Sequence, residues 1–174
     1  LKSYQEVLQP HADQAIGNYV FLWGQKQEKT PTWYGMYLNS GEETEAIDVM
    51  HYIWNGRWPD NRSPRVSPIR LNGNVAQDNV SLEGGKRYSA TLDVTDFDDD
   101  PITYRWVLRA ESAAEQVGGD YEELPEVIAG LIEDPTAAEI TLLTPTLAGG
   151  YRLFVYVYDG QNHAAHANIP FYVR

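Results

Sequence analysis

The strictest constraint in this sequence is a two-residue beat. Tyr88, Ala90, Leu92 and Val94 alternate with Ser89, Thr91, Asp93 and Thr95. Ile102, Tyr104, Trp106 and Leu108 repeat the pattern, and so do Leu153, Val155 and Val157. A last run sets Ala165, Ala167, Ile169, Phe171 and Val173 at every second position. Successive side chains of a strand point to opposite faces, so a period of two predicts strands with one buried face. A helix would want apolar residues three to four apart, which these runs do not supply.

Weaker strand signals near 68–71, 79–82 and 138–143 bring the count to about seven, the number expected of an immunoglobulin-like antiparallel β-sandwich. Trp106 lies mid-strand, where such sandwiches bury a tryptophan. Residues 121–134 read as a short helix between strands, with Leu124, Ile128 and Leu131 on one face. The sandwich is therefore expected over 68–174.

The chain changes character near residue 65. Trp23, Trp33, Trp54 and Trp58 precede that point and only Trp106 follows it. Before it stand 8 acidic and 6 basic residues, net −2; after it stand 17 and 7, net −10. Residues 58–67, with Pro68 just beyond, are rich in proline and small polar residues and read as an extended linker.

Residues 1–57 read as helix, strand, loop and helix. Tyr4, Val7 and Leu8 share a helical face that Pro10 should end. Asn18 to Gly24 is a nearly continuous apolar run, which suits a strand covered on both faces, as in parallel sheets. Ser40 and Glu43 have the spacing of a capping box. Ala46, Ile47, Met50, Ile53 and Trp54 then form one apolar stripe, and Gly56 is placed to stop the helix. The expected fold is mainly β: a sandwich preceded by a small α/β (helix–strand–helix) segment. A single doubly covered strand lacks lateral partners, so either partner strands lie in missing upstream polypeptide or this segment packs against the second half; a second copy could also pair with it as a homodimer.

The net charge of −12 excludes nucleic acid as an expected partner, because phosphate binding needs a basic surface. The chain has no cysteine, so disulfides and thiolate metal sites are excluded. No stretch has the apolar length of a membrane span. The histidines show no zinc spacing, and no GxSxG elbow or phosphate loop is present.

Two groups of residues carry candidate chemistry. Asp96, Asp98, Asp99 and Asp100 form an acidic run before Pro101, and Asp159 would join them if the strand ends are neighbours. Calcium takes several carboxylate and carbonyl oxygens on a bendable loop. The competing reading is an ordinary Asp- and Pro-rich turn, and the run does not fit EF-hand spacing. The second group is Trp23, Glu28, Trp33 and Tyr34, where aromatic faces suit the CH faces of sugar rings. Its competing reading is packing between strand and helix. Glu28 is the only acid there, whereas glycosidic hydrolysis usually takes two carboxyl groups.

Residues 18–28 followed by Thr30 to Tyr37 resemble the last strand and loop of a bacterial glycoside hydrolase (β/α)8 barrel of the family 2 and glucanase type. Residues 42–56 then match the final barrel helix, and Trp23 matches the aromatic floor of a sugar subsite. Asp96 to Trp106 and Tyr151 to Gly160 resemble PKD and cadherin-like immunoglobulin-like modules, some of which bind calcium at the Asp-rich turn. In such barrels the catalytic carboxylates lie on strands four and seven, which this sequence does not contain. The resemblance therefore implies a non-catalytic C-terminal portion of a bacterial hydrolase, secreted, periplasmic or at the cell surface. Its implied partners are polysaccharide or the upstream barrel of the same polypeptide. The alternative is a calcium-stiffened adhesion module.

Overall fold

The computed structural model describes residues 1–15, 17–115 and 119–174. It holds one regular α-helix among these residues, α1 (Glu45–Asn55), and ten short or long strands. These are β1 (Arg65–Val66), β2 (Arg70–Leu71), β3 (Ser81–Leu82), β4 (Arg87–Thr91), β5 (Val94–Thr95), β6 (Thr103–Ala110), β7 (Ile132–Glu133), β8 (Ile140–Leu143), β9 (Gly149–Tyr158) and β10 (Ala164–Val173).

Two four-stranded sheets face each other. One runs β2-β4-β8-β7 and the other β3-β10-β9-β6. With β4, β6, β8 and β9 standing for strands B, C, E and F, these orders are the ABED and CFG sheets of an immunoglobulin sandwich. All neighbours pair antiparallel except β3, which runs parallel to β10. A two-stranded ribbon, β1 with β5, closes one side.

The alternating residues meet between the sheets. Leu71, Leu108, Leu142, Leu153, Val155 and Val157 are fully buried there, with Trp106 among them. The Trp106 indole donates to the Ala137 carbonyl at 2.9 Å, which satisfies its one polar group inside the core. At the mouth of β9 the Tyr151 hydroxyl donates back to the Leu147 carbonyl at 2.9 Å. That local bond is the tyrosine corner of immunoglobulin-like sandwiches.

The insert at 121–134 is not a helix. It runs irregularly, touches β6 through a Val127–Arg109 bridge, and ends in β7. Pro125 and Gly130 interrupt any helical run, and Ile128 donates its N–H to the Leu108 carbonyl instead. Ile128 and Leu131 still reach the core, so their apolar character is used without the helix.

The outer face of the second sheet is not left to solvent. Phe154 and Tyr156 of β9 are buried with Leu38 and Ala164, so β9 is covered on both sides. The cover is the N-terminal segment. Glu43 donates its N–H to the Asn162 carbonyl at 2.9 Å and accepts from Ala164 at 2.7 Å, stitching that segment along β10. Below it, α1 turns on Thr44 rather than on the Ser40–Glu43 box. The Ser40 hydroxyl bonds Glu42, and the Thr44 hydroxyl donates to the Met36 carbonyl. Gly56, at φ 71°, ends the helix in the left-handed conformation that glycine accepts at no steric cost.

Of the N-terminal helix, a short helical run over Tyr4–Leu8 and Gln9–His11 remains. Asn18 to Gly24 belongs to no sheet and bends at Phe21, Trp23 and Gly24, contrary to the doubly covered strand expected from its apolar run. Tyr19, Phe21 and Trp23 are exposed, at 104%, 62% and 72%. The run has a neighbour along only one stretch, where Leu22 donates to Tyr34 and accepts from Met36. Residues 58–67, read as a linker, are extended and anchored. Ser63 is buried and donates its N–H to the enclosed Asp48 carboxylate at 2.8 Å, and β1 pairs within the ribbon.

Double-sided burial makes a direct prediction. Leu153→Ala should cost about 2–5 kcal/mol and Phe154→Ala about 3–5 kcal/mol in urea denaturation. A near-neutral Phe154→Ala would mean that the outer face is solvated.

Candidate functional site

The residues singled out for sugar contact are brought together by a backbone crossing. The hydrogen bonds between Leu22 and Tyr34, at 3.1 Å, and between Met36 and Leu22, at 3.0 Å, lay residues 21–23 beside 34–36. Two aromatic groups result. Phe21, Trp33 and Tyr34 form a chain of edge-on contacts, with centroids 5.6 and 4.8 Å apart. Trp23 leans on Tyr37 at 5.1 Å. Trp33 is half-buried by its neighbours, while Trp23 and Tyr34 keep most of their ring surface in water.

Glu28 is linked to these rings through Lys26. The Lys26 ammonium pairs with Glu28 and stands 5.3 Å from the Trp33 ring centre. Of the four named from sequence, Trp33 and Tyr34 share one aromatic group, Trp23 belongs to the other, and Glu28 pairs with Lys26; the two groups, held side by side at Leu22, form the aromatic platform. Tyr19, Phe21 and Tyr37 were missed. The signal for two of them was present, since Tyr19, Phe21 and Trp23 occupy every second position of the apolar run.

The platform is fixed to the sandwich by one buried carboxylate. Glu122 accepts from the Gln27 side chain at 2.9 Å, the Lys29 N–H at 3.0 Å and the Ser112 hydroxyl at 2.5 Å. Burial alone would push this carboxyl up; the bonds from Ser112, Gln27 and Lys29 and the Lys29 charge hold it below the ordinary glutamate value. Nothing in the local sequence marks Glu122, because two of its partners, Gln27 and Lys29, lie 95 and 93 residues away in the chain.

The acidic run occupies the end of the sandwich where β6 begins and β9 stops. Thr103 stands opposite Tyr158, so Asp159 does come beside the run. Asp96 accepts the N–H groups of Asp98 and Asp100 at 3.0 and 2.9 Å, which folds the turn. Asp98 accepts the Arg62 N–H at 2.7 Å, and Asp99 takes a left-handed φ of 60°. Asp159 is buried, accepting from Gln161 and His163 N–H groups and from the Asn61 amide. The Asp100 carboxyl is pushed up by partial desolvation and then by the like charges of Asp96, Asp159 and Asp98. Among the described residues, no three His, Cys, Asp or Glu side chains stand where they could hold a metal ion. No helix among them is long and apolar enough to cross a membrane.

Fold and site together define a mainly β protein whose sandwich carries an aromatic platform on a closely fitted N-terminal segment. No known protein family and no curated protein matches the sequence. One solved structure that is similar is a nucleoside hydrolase-related hypothetical protein from Saccharophagus degradans that is associated with carbohydrate metabolism. The likeness has a TM-score of 0.45 at 16% identity and covers 66% of this chain but 26% of that one. So distant a likeness assigns neither family nor activity.

The Glu122 anchor predicts an acid-sensitive junction. Because its folded pKa is depressed, its contribution is complete above the ordinary glutamate value of 4.5 and is lost as pH falls through the lower folded value. Glu122→Gln should cost about 1–3 kcal/mol at neutral pH. Melting curves of both proteins should converge as pH drops below that value; a gap that persists unchanged into acid would refute the assignment.

Proposed function

We propose that this chain is a non-catalytic C-terminal portion of a secreted bacterial glycoside hydrolase, in which the sandwich braces a catalytic barrel and the aromatic platform contacts carbohydrate. One observation carries the reading. Phe21 and Trp23 are exposed on either side of Leu22, Phe21 against Trp33, which meets Tyr34, and Trp23 against Tyr37. Exposed aromatics gathered this closely are a recognition surface far more than they are scattered surface residues. Trp23 and Tyr34 offer flat faces for sugar rings, and the resemblance of residues 18–37 to the end of a (β/α)8 barrel supplies the second partner, the barrel itself. No pair of catalytic carboxylates is assigned to this chain.

The test is retention on insoluble polysaccharide columns. Trp23→Ala and Tyr34→Ala should each reduce retention about tenfold while leaving the melting temperature unchanged, since both rings are largely exposed. The chain alone should release no sugar. Unchanged retention in both variants would sink the carbohydrate role. Dimers that dissociate on Phe21→Asp would instead assign the aromatic face to a second copy.

A second reading, a calcium-stiffened surface module, draws only on the like charges that Asp96, Asp159 and Asp98 present to Asp100; as placed, these carboxylates make no three-ligand cation site. It predicts that calcium raises the melting temperature over chelator, because a ligand of the native state stabilises it. Asp98→Asn with Asp99→Asn should abolish that rise. If the wild type melts identically with calcium and with chelator, the turn is held by its own N–H donors alone.

A further inference from the structure

A recess lies between the N-terminal segment and the outer face of the β6–β9 sheet, with a volume of about 540 Å³. Outward positions of β6 place Arg105 and Arg109 on its floor, beside Tyr156 and Tyr158 of β9. Neither guanidinium pairs with a carboxylate among the described residues. Arg105 stacks on Tyr156 at 4.7 Å, and the Arg109 Nη1 donates to the Pro125 carbonyl. The Arg109 Nε is enclosed with no acceptor.

That arrangement is unusual in a chain with 25 acidic and 13 basic residues. Partners for arginine are abundant elsewhere, as in Arg152–Glu111 at 2.6 Å and Arg65–Glu45 at 2.8 Å. Arg105 is exposed, but Arg109 is half-buried, and an uncompensated, partly desolvated cation is costly unless an anion pairs with it. Burial, and after it the neighbouring Arg105, oppose the Arg109 charge, with Tyr156 favouring it. Arg105 lies against the Tyr156 ring and hydrogen-bonds the Tyr158 side chain, which leaves its remaining N–H groups for an oxygen acceptor.

The rest of the lining narrows the ligand. Asn39, Ser40 and Gln25 offer neutral hydrogen-bonding groups, while Leu38, Leu124 and Pro31 offer apolar surface. Glu42 also lines the recess, which disfavours a doubly charged phosphate. No helix of eight residues or more begins there to bind one. A singly charged carboxylate on a body with hydroxyl groups and CH faces meets every wall, and the volume suits a small ligand.

We propose that this recess binds a carboxylate-bearing saccharide, a uronic acid unit, through Arg105 and Arg109. The inference goes beyond the function proposed above and does not rest on it, because every wall of the recess belongs to this chain and none to the aromatic platform.

The test is calorimetric titration of the full chain with trigalacturonate, its methyl ester, inorganic phosphate and a short poly-glutamate peptide. Trigalacturonate should bind at least about tenfold more tightly than the ester, and Arg105→Gln should weaken it about tenfold without changing the melting temperature. Arg109→Lys, which keeps the charge but loses the fork, should also weaken it. Equal affinity for acid and ester, indifference to Arg105→Gln, or the absence of binding at about 10 mM would overturn the proposal. Tighter binding of phosphate or of the peptide than of trigalacturonate would overturn it too.

Discussion

The architecture depends on a single strand that has no wet side. The inward residues of β9, Leu153, Val155 and Val157, fill the sandwich, while Phe154 and Tyr156 on its other side are buried under Leu38 and Ala164. An immunoglobulin-like sheet would ordinarily show polar residues to water on that outer face. Here the apolar outer face obliges another element to cover it, and residues 31–44 do so. The position of α1, the anchoring of Asp48 to Ser63 and the recess at the junction follow from that requirement.

Much of the sandwich was legible because period two is a local property. The alternating sets at 88–94, 102–108 and 165–173 sit where the pattern put them, with Trp106 buried. The run Leu153-Phe-Val-Tyr-Val-Tyr158 held more than its alternate residues suggested, since unbroken apolar character is the mark of double burial. Applied to Asn18–Gly24, the same rule misled. There the odd aromatics Tyr19, Phe21 and Trp23 are large and exposed, and only their even neighbours are partly covered. Hydrophobicity alone does not separate a residue that packs from one that waits for a partner.

The site was legible in residue type and opaque in arrangement. Trp23, Trp33 and Tyr34 could be named from composition, but the crossing at Leu22 that assembles them is a long-range backbone pairing with no local sign. Glu122 and the Arg105–Arg109 recess escaped for the same reason. Arg105 and Arg109 read as solvent-facing positions of an alternating strand, and only the neighbouring segment turns that face into a concave wall.

The guanidinium of Arg62 lies 4.0 Å from the Trp58 ring centre and 3.7 Å from that of Phe97, while the Arg62 backbone N–H donates to the Asp98 carboxylate. A proline-rich stretch that usually lets two bodies swivel is here pinned between them like a rivet. Heat or denaturant should consequently melt both parts in one transition, and any partner gripping the aromatic platform would pull on the sandwich at a fixed angle.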